Sequence, residues 1–252
     1  SHNHRLWLGA EKIAKETNSN LFTFSAGATP FPSLKYFRSD NKKTLLKKFD
    51  IYNSLEKEII GRAKEGDVVI ITMRLPYYFV DDWYEFPASQ FRYFDNNKVI
   101  IPNFKNELFK KWIIGLENFA SNINKKNIKL IISNPIPEFP RVKNNKCRED
   151  NKEWFNHYSL INCDIKIPKN FFNSKEGKYK SINTALYKIR NKYSNVFVFD
   201  AFDALCPNSK CEFIQKNNLL YTDKDHISNY SASNLIAPKM IKFLEKEKII
   251  NF

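Results

Sequence analysis

Short apolar runs alternate with long amphipathic segments along this chain, and that alternation restricts the fold more than any other feature. Residues 67–73 and 128–132 are continuous apolar runs rich in β-branched side chains, as expected for strands buried on both faces of a parallel sheet. Between them, residues 106–123 repeat apolar side chains every three or four positions, which predicts a helix. The alternation predicts an α/β fold, a flavodoxin-like three-layer sandwich with a mostly parallel central sheet.

The other predicted elements extend this pattern over the whole chain. Helices are predicted at 6–15, 43–64, 181–193 and 231–246, and strands at 21–24 and 195–199. Pro238 must kink the last helix or lie near its start. Because a sheet of this type opens with a central strand and the chain opens with a helix, we expect a first strand upstream of residue 1. The sequence has no internal repeat and no linker-like tract, so we predict one domain, residues 1–252.

Composition and charge exclude several classes of protein. A hydrophobic fraction of 42 % and an aromatic fraction of 15 % supply a core and exclude a disordered chain. No apolar run approaches the roughly 18 residues of a membrane-spanning helix, and the first residues do not read as a signal peptide. The net charge of +14 is compatible with nucleic acid, anionic lipid or an acidic glycan. Its lysines are spread along the chain, however, which favours a solvated basic surface.

Four cysteines lie in the second half of the chain, at Cys147, Cys163, Cys206 and Cys211. They form no C-x-x-C pair and have no histidine at zinc-ligand spacing, so no metal site is predicted. Three disulfide pairings are open in principle. The short, turn-rich segment between Cys206 and Cys211 favours its own closure, which leaves Cys147 to pair with Cys163. Disulfides imply an oxidising compartment.

Residues 221–228, just before the last predicted helix, carry the sharpest catalytic pattern. An aspartate three residues before a histidine can accept a hydrogen bond from Nδ1 and leave Nε2 as a base. Asp223 fits this role towards His226 better than the adjacent Asp225 does. Such a pair alone is more often structural than catalytic. Ser228 is a candidate N-cap of the helix.

Two small residues complete the candidate site. Ser1 stands at the head of the first predicted helix, where its hydroxyl is exposed and its N–H can face a developing oxyanion. Gly27, just after the predicted strand at 21–24, adds a second N–H. The alternative is that Ser1 is a cloning remnant or marks an arbitrary boundary.

In their order along the chain, these motifs resemble the SGNH hydrolase superfamily, also called GDSL-type esterases. The resemblance is closest to the extracytoplasmic SGNH domain fused to membrane acyltransferase-3 proteins. Ser1-His2 matches the last two positions of the family's Gly-Asp-Ser-His block, whose Gly-Asp is absent here. Residues 25–27 match its glycine block, and residues 223–228 match its D-x-x-H-[LI]-S block.

The resemblance implies a triad of Ser1, His226 and Asp223 that transfers an acetyl group, through an acyl-enzyme, to hydroxyls of a cell-surface polysaccharide. It implies three partners: a carbohydrate acceptor, an acyl donor and an N-terminal membrane acyltransferase-3 domain. The chain would then be a fragment of a longer membrane protein, on the periplasmic or extracytoplasmic side and tethered to the bacterial inner membrane. No cofactor, metal or nucleic-acid partner is expected.

The family's third block, Gly-x-Asn-Asp, is missing after the strand at 67–73, where Arg74 stands. We therefore expect the oxyanion hole to rest on the N–H groups of Ser1 and Gly27, with Arg74 as a charged substitute and Asn134 as a weaker candidate.

Aromatic side chains crowd residues 77–94, directly after the same strand. Tyr77, Tyr78 and Trp83 are predicted to stack on sugar faces at the rim of the site. The alternative is a loop that packs its own small core.

Three other functions stay open. The same triad would make a carbohydrate esterase or deacetylase if water reached the acyl-enzyme. A non-catalytic polyanion-binding domain would show steep salt dependence and no ester turnover. In an N-terminal nucleophile hydrolase, the α-amine of Ser1 would be the base and His226 would be dispensable.

Overall fold

The computed structural model describes residues 2–24, 30–32, 36–38, 42–80, 87–95, 98–139, 165–174 and 179–250. The chain divides into two compact units. The first unit comprises residues 1–25, 134–180 and 199–252, and the second unit comprises residues 26–133 and 181–198. That residues 1–252 act as one domain stays a prediction.

The helices and strands follow the predicted alternation. The described helices are α1 (His2–Glu16), α2 (Lys42–Arg62), α3 (Leu75–Phe79), α4 (Lys105–Asn124), α5 (Tyr179–Lys192), α6 (Ala201–Leu205) and α7 (Ala237–Lys246), with 3₁₀ turns at Ala88–Gln90 and Lys169–Asn173 and a π-helical turn at Ser231–Ile236. The described strands are β1 (Tyr36–Arg38), β2 (Val68–Ile71), β3 (Phe91–Asp95), β4 (Lys98–Ile100), β5 (Lys129–Ser133), β6 (Lys166–Pro168), β7 (Val196–Phe199), β8 (Lys210–Glu212), β9 (Ile214–Gln215) and β10 (Asn218–Leu219).

A parallel sheet, which belongs almost wholly to the second unit, joins β2, β5 and β7 in that order. β2 and β5 are paired in parallel. The N–H of Leu130 binds the carbonyl of Asn195, and the N–H of Asn134 binds the carbonyl of Phe199. Because both partners advance by four residues along their strands, β5 and β7 are parallel too. The predicted α/β class with a mostly parallel sheet is confirmed.

Helix α4 buries the apolar stripe that its sequence predicted, which consists of Leu108, Trp112, Leu116 and Phe119. Ile123 at the end of the helix is buried as well. The Phe79 ring of α3 stacks on Trp112 with centroids 5.1 Å apart. The buried Asn195 donates from Nδ2 to the carbonyls of Ala120 and Ile128, at 3.2 and 3.1 Å. It thus ties the end of α4 to the start of β5, since buried carbonyls need hydrogen-bond partners.

The strand predicted at 21–24 is wrong. These residues form no strand, and the Phe22 side chain is 83 % exposed. A strand exists only through ladder hydrogen bonds with a neighbour, so a short apolar run does not determine one. Conversely, the aromatic segment after residue 77 is partly a strand. β3 lies in an antiparallel sheet of order β1-β3-β4, where Tyr93 pairs with Tyr36 and Ile100.

In the first unit, α1 packs against the π-helical turn and against α7. The helix predicted at 231–246 is present, but it contains this π-helical turn, in which the N–H of Ala237 binds the carbonyl of Ala232 five residues back. Pro238 occupies the first turn of α7, one of the two placements expected of it. Gly9 of α1 lies directly over the Ala232 carbonyl, since a Cβ built on Gly9 would be 2.7 Å from that oxygen.

We predict that Gly9→Ala destabilises the protein by about 1–3 kcal/mol, because the added methyl meets a backbone oxygen that cannot rotate away. Gly115→Ala in the interior of α4 is the matched control, since nothing lies within 4 Å of its added Cβ. The Gly115→Ala substitution is expected to raise the free energy of unfolding by up to about 1 kcal/mol, because alanine has a higher helix propensity than glycine. Urea unfolding of the two variants measures the difference. A Gly9→Ala variant as stable as Gly115→Ala would contradict the close packing of α1.

Candidate active site

Asp223 and His226 lie on a short loop that is closed at its base. Tyr221 and Ile227 form an antiparallel bridge, and the N–H of Thr222 binds the carbonyl of His226 at 2.9 Å. Residues 222–226, which we call the His loop, are therefore held in a tight turn.

The carboxylate of Asp223 organises the His loop from within. Its Oδ1 accepts the backbone N–H of Asp225 at 3.1 Å and that of His226 at 2.8 Å. The ring Nδ1 of His226 lies 2.9 Å from both Oδ1 and Oδ2 of the same carboxylate. Asp225 is farther away, with its Oδ2 3.7 Å from Nδ1. The structure thus brings together the aspartate and histidine that the sequence paired, with Asp223 closer to the ring than Asp225; their catalytic role stays a prediction.

Partial burial opposes ionisation of Asp223, but its hydrogen bonds outweigh that cost. The His226 ring and the N–H groups of Asp225 and His226 hold the pKa of Asp223 well below its usual range. An ionised carboxylate can only accept, so Nδ1 of His226 is the donor, and in the neutral imidazole Nε2 keeps its lone pair. Such a pair can serve chemically as an oriented imidazole base.

Two buried hydroxyls fix the chain on either side of the His loop. Ser228 donates to the carbonyl of Leu219 at 2.6 Å and accepts the N–H of Ser231 at 3.1 Å, so the predicted N-cap role of Ser228 is confirmed. Ser231 donates to the carbonyl of Leu220 at 2.8 Å. The helical segment after the loop is thereby bonded to the strand before it.

The segment after β5 supports the same loop. The N–H of Phe139 binds the carbonyl of Lys224 at 2.6 Å, and the Phe139 ring packs edge-on against Tyr221. At the head of this segment, the buried Asn134 donates from Nδ2 to Asp200 at 3.0 Å and accepts the N–H of Ala201 at 3.0 Å. The nitrogen and the oxygen of the Asn134 side chain thus link the end of β5 to the residues that follow β7. The sequence did not reveal this structural role.

The aromatic candidates Tyr77 and Tyr78 belong to the second unit, as does Arg74. The guanidinium of Arg74 lies over the Tyr77 ring, 5.1 Å from its centroid. Tyr78 is buried against Tyr77 and Phe79, so for this residue the structure favours the alternative of a locally packed core. The fully buried Lys105 donates to the Tyr77 carbonyl at 3.1 Å, a contact with no sequence signal.

Several predicted residues lie outside the described residues: Ser1, Gly27, Trp83, Cys147 and Cys163. Their assignments stay predictions. The disulfide between Cys206 and Cys211 is present, and both cysteines are buried. It closes the short segment that links α6 to β8.

Asp223, Asp225 and His226 each offer one atom that could bind a metal ion, and these atoms lie within 4.8 Å of one another. Nδ1 of His226 already donates to Asp223, however, so we assign this cluster to a hydrogen-bonded pair and not to a metal. Within the described ranges, no helix is both long and apolar enough to cross a bilayer.

A family model described as the SGNH domain (fused to AT3 domains) matches residues 1–242. This chain belongs to that family. Searches among curated proteins and among solved structures found no significant match. Membership of the SGNH family supports an enzyme of the acyl-transfer or esterase type, and the fusion in the family's description supports a membrane acyltransferase-3 partner domain.

We predict that Asn134→Ala lowers the free energy of unfolding of this SGNH domain by about 1–3 kcal/mol, because it leaves the buried N–H of Ala201 unpaired. Asn234→Ala is the control, since the exposed Asn234 donates to the carbonyl of Tyr230 in its own helix. That change is expected to stay within about 0.5 kcal/mol. Urea unfolding distinguishes the variants, and an Asn134→Ala variant of wild-type stability would contradict the structural role.

A second prediction concerns pH. Because folding lowers the pKa of Asp223, its ionisation stabilises the folded state above about pH 4, and that contribution is lost as the pH falls through the lower folded value. Asp223→Asn should therefore be less stable than wild type at pH 7, by on the order of 1 kcal/mol for a partly exposed charged hydrogen bond. The gap should shrink in urea titrations at pH 4 and below. A gap that does not change with pH would contradict the assignment.

Proposed function

We propose that this domain transfers an acyl group, acetyl, to hydroxyls of a cell-surface polysaccharide through an acyl-enzyme on Ser1. The observation that carries the proposal is the hydrogen-bonded pair in which Nδ1 of His226 lies 2.9 Å from both oxygens of Asp223. Membership of the SGNH family, whose members are fused to AT3 domains, supports the reaction class.

In the proposed first step, Nε2 of His226 takes the proton of the Ser1 hydroxyl as its oxygen attacks the carbonyl of the acyl donor. The imidazolium is stabilised by Asp223 and then gives its proton to the departing group of the donor. In the second step, His226 takes the proton of a sugar hydroxyl as that oxygen attacks the acyl-enzyme. The ester product leaves, and the proton returns to Ser1.

Two observations support Ser1 as the nucleophile. In sequence, Ser1-His2 matches the last two positions of the Gly-Asp-Ser-His block that the family resemblance supplies. Helix α1, which follows residue 1 in the chain, packs against the helical segment that follows the His loop. Helix α1 and the His loop belong to the same unit.

The oxyanion donors, the acceptor-binding residues and the location are proposed from the sequence alone. The N–H groups of Ser1 and Gly27 and the guanidinium of Arg74 are proposed as donors to the oxyanion. Tyr77 and Trp83 are proposed to stack on the sugar acceptor, whereas the burial of Tyr78 argues against that role. The location is proposed to be periplasmic or extracytoplasmic, with a tether to the bacterial inner membrane.

Acetylation of the enzyme by p-nitrophenyl acetate tests the nucleophile. Ser1→Ala is expected to lose the acetyl-enzyme seen by intact-mass spectrometry and to lower turnover by at least about 1000-fold, since it removes the attacking oxygen. Ser19→Ala, which removes an exposed hydroxyl, is the control and should be acetylated like wild type. Acetylation of Ser1→Ala at the wild-type rate would refute the proposal.

His226→Ala separates the triad from the N-terminal nucleophile alternative. The triad requires a loss of about the same size as for Ser1→Ala, whereas a reaction that uses the α-amine of Ser1 as base would retain activity. Far-UV circular dichroism checks that the variant is folded.

A competition for the acetyl-enzyme separates transferase from esterase. With an oligosaccharide acceptor present, a transferase releases acetylated sugar, detected by mass spectrometry. An esterase releases acetate at a rate that the acceptor does not change.

A further inference from the structure

We propose that Asp225 is a positioning residue that adds a second negative charge beside Nδ1 of His226 and stabilises the imidazolium formed during acyl transfer. This inference rests on the proposed function, in which His226 is protonated in each of the two steps. It extends the pair of Asp223 and His226 to three groups.

The distance between the Asp225 carboxylate and the His226 ring suits an electrostatic interaction and is too long for a hydrogen bond. Oδ2 of Asp225 lies 3.7 Å from Nδ1 of His226, beyond hydrogen-bond range, whereas Asp223 makes the hydrogen bonds at 2.9 Å. Two opposite charges at 3.7 Å still attract strongly when water does not screen them.

Burial makes the charge of Asp225 effective. Its side chain is only 7 % exposed, compared with 36 % for Asp223. Salt and water screen a buried charge much less than an exposed one. In this proposal Asp225 is ionised, and its field at the imidazole then depends less on ionic strength than the field of the more exposed Asp223 does.

The fold of the His loop explains why both carboxylates reach the same ring nitrogen. The backbone N–H of Asp225 is bonded to Oδ1 of Asp223, and the bond from Phe139 to the carbonyl of Lys224 fixes the neighbouring peptide. Both bonds hold the backbone of Asp225, and its Oδ2 lies 3.7 Å from Nδ1 of the ring. Nε2, the nitrogen that the mechanism uses, is the other ring nitrogen, joined to Nδ1 through Cε1.

Other ionisable groups lie on the loop itself and on the segment after β5. Those on the loop are Asp223 and Lys224. The one on the segment after β5 is Glu138, which is fully buried. The hydroxyl of Tyr221 is neutral at physiological pH, because burial and the nearby Glu138 raise the pKa of Tyr221 well above its ordinary value. Asp225 is the second carboxylate within 4 Å of His226 in this set.

The sign of the expected effect follows from the charge. Asparagine at position 225 stabilises the imidazolium less than aspartate does, so His226 is harder to protonate. The acid limb of the pH profile of kcat/KM, which follows the free base, should then move to lower pH. At pH 8 the same loss should lower kcat about 10-fold and leave KM within about twofold, because the imidazolium forms only as the reaction proceeds.

The test compares full-chain wild type, Asp225→Asn, Asp225→Glu and Asp203→Asn with p-nitrophenyl acetate as the probe from pH 5 to pH 9. Asp225→Glu keeps the charge and should keep the wild-type acid limb. Asp203 is an exposed aspartate of α6 that pairs with Lys169 and Lys239, and Asp203→Asn should leave the limb and kcat unchanged. An acid limb that stays in place in Asp225→Asn overturns the proposal, even if activity falls, because a structural role lowers activity without moving the limb.

An NMR titration of the His226 ring tests the role of Asp225 without requiring acyl transfer, so its outcome is independent of the test of the proposed function. A lower protonation midpoint in Asp225→Asn than in wild type supports the electrostatic role even if the protein turns over no ester. An unchanged midpoint overturns it, even if the acetyl-enzyme on Ser1 is found. If Asp225→Asn does not fold, Asp225→Ser supplies the uncharged side chain for both measurements.

Discussion

The candidate site depends on one carboxylate that serves two purposes. Asp223 accepts two backbone N–H groups of the His loop and the ring N–H of His226. The same side chain therefore shapes the loop and orients the base, so the geometry of the loop and the protonation of Nδ1 are linked. Since three donors compete with the proton for this carboxylate, it stays ionised far into the acid range.

The rest of the first unit holds that loop in place. Ser228 and Ser231 bond the helical segment after the loop to the two residues before Tyr221. Gly9 allows α1 to approach the carbonyl of Ala232 in the same segment. A side chain larger than hydrogen at position 9 would meet that carbonyl, whereas the two serines act through their hydroxyl groups. The base is thus carried by a loop whose two ends are fixed by buried hydrogen bonds, as an oriented proton acceptor requires.

Family membership and local geometry answer different questions. The match over residues 1–242 shows the SGNH family and supports acyl-transfer or esterase chemistry. The Asp223–His226 pair supports a base for that chemistry, and it gives the proposal for Ser1 a specific proton acceptor. Asp225 would add charge to this base from a buried position, so the proposed chemistry draws on both carboxylates of the segment that the sequence marked.

The sequence by itself determined the alternation of strands and helices, the short disulfide and the pair of Asp223 and His226, because each depends on residues close together in the chain. Periodicity located α4 and β5 to within two residues, and an i,i+3 spacing selected the correct aspartate. Only the tertiary structure decided that residues 21–24 form no strand, that Tyr93 pairs with Tyr36, and that Asn134 binds Asp200. Those outcomes depend on partners far away in sequence, and no local pattern encodes which distant backbone or side chain satisfies a hydrogen bond.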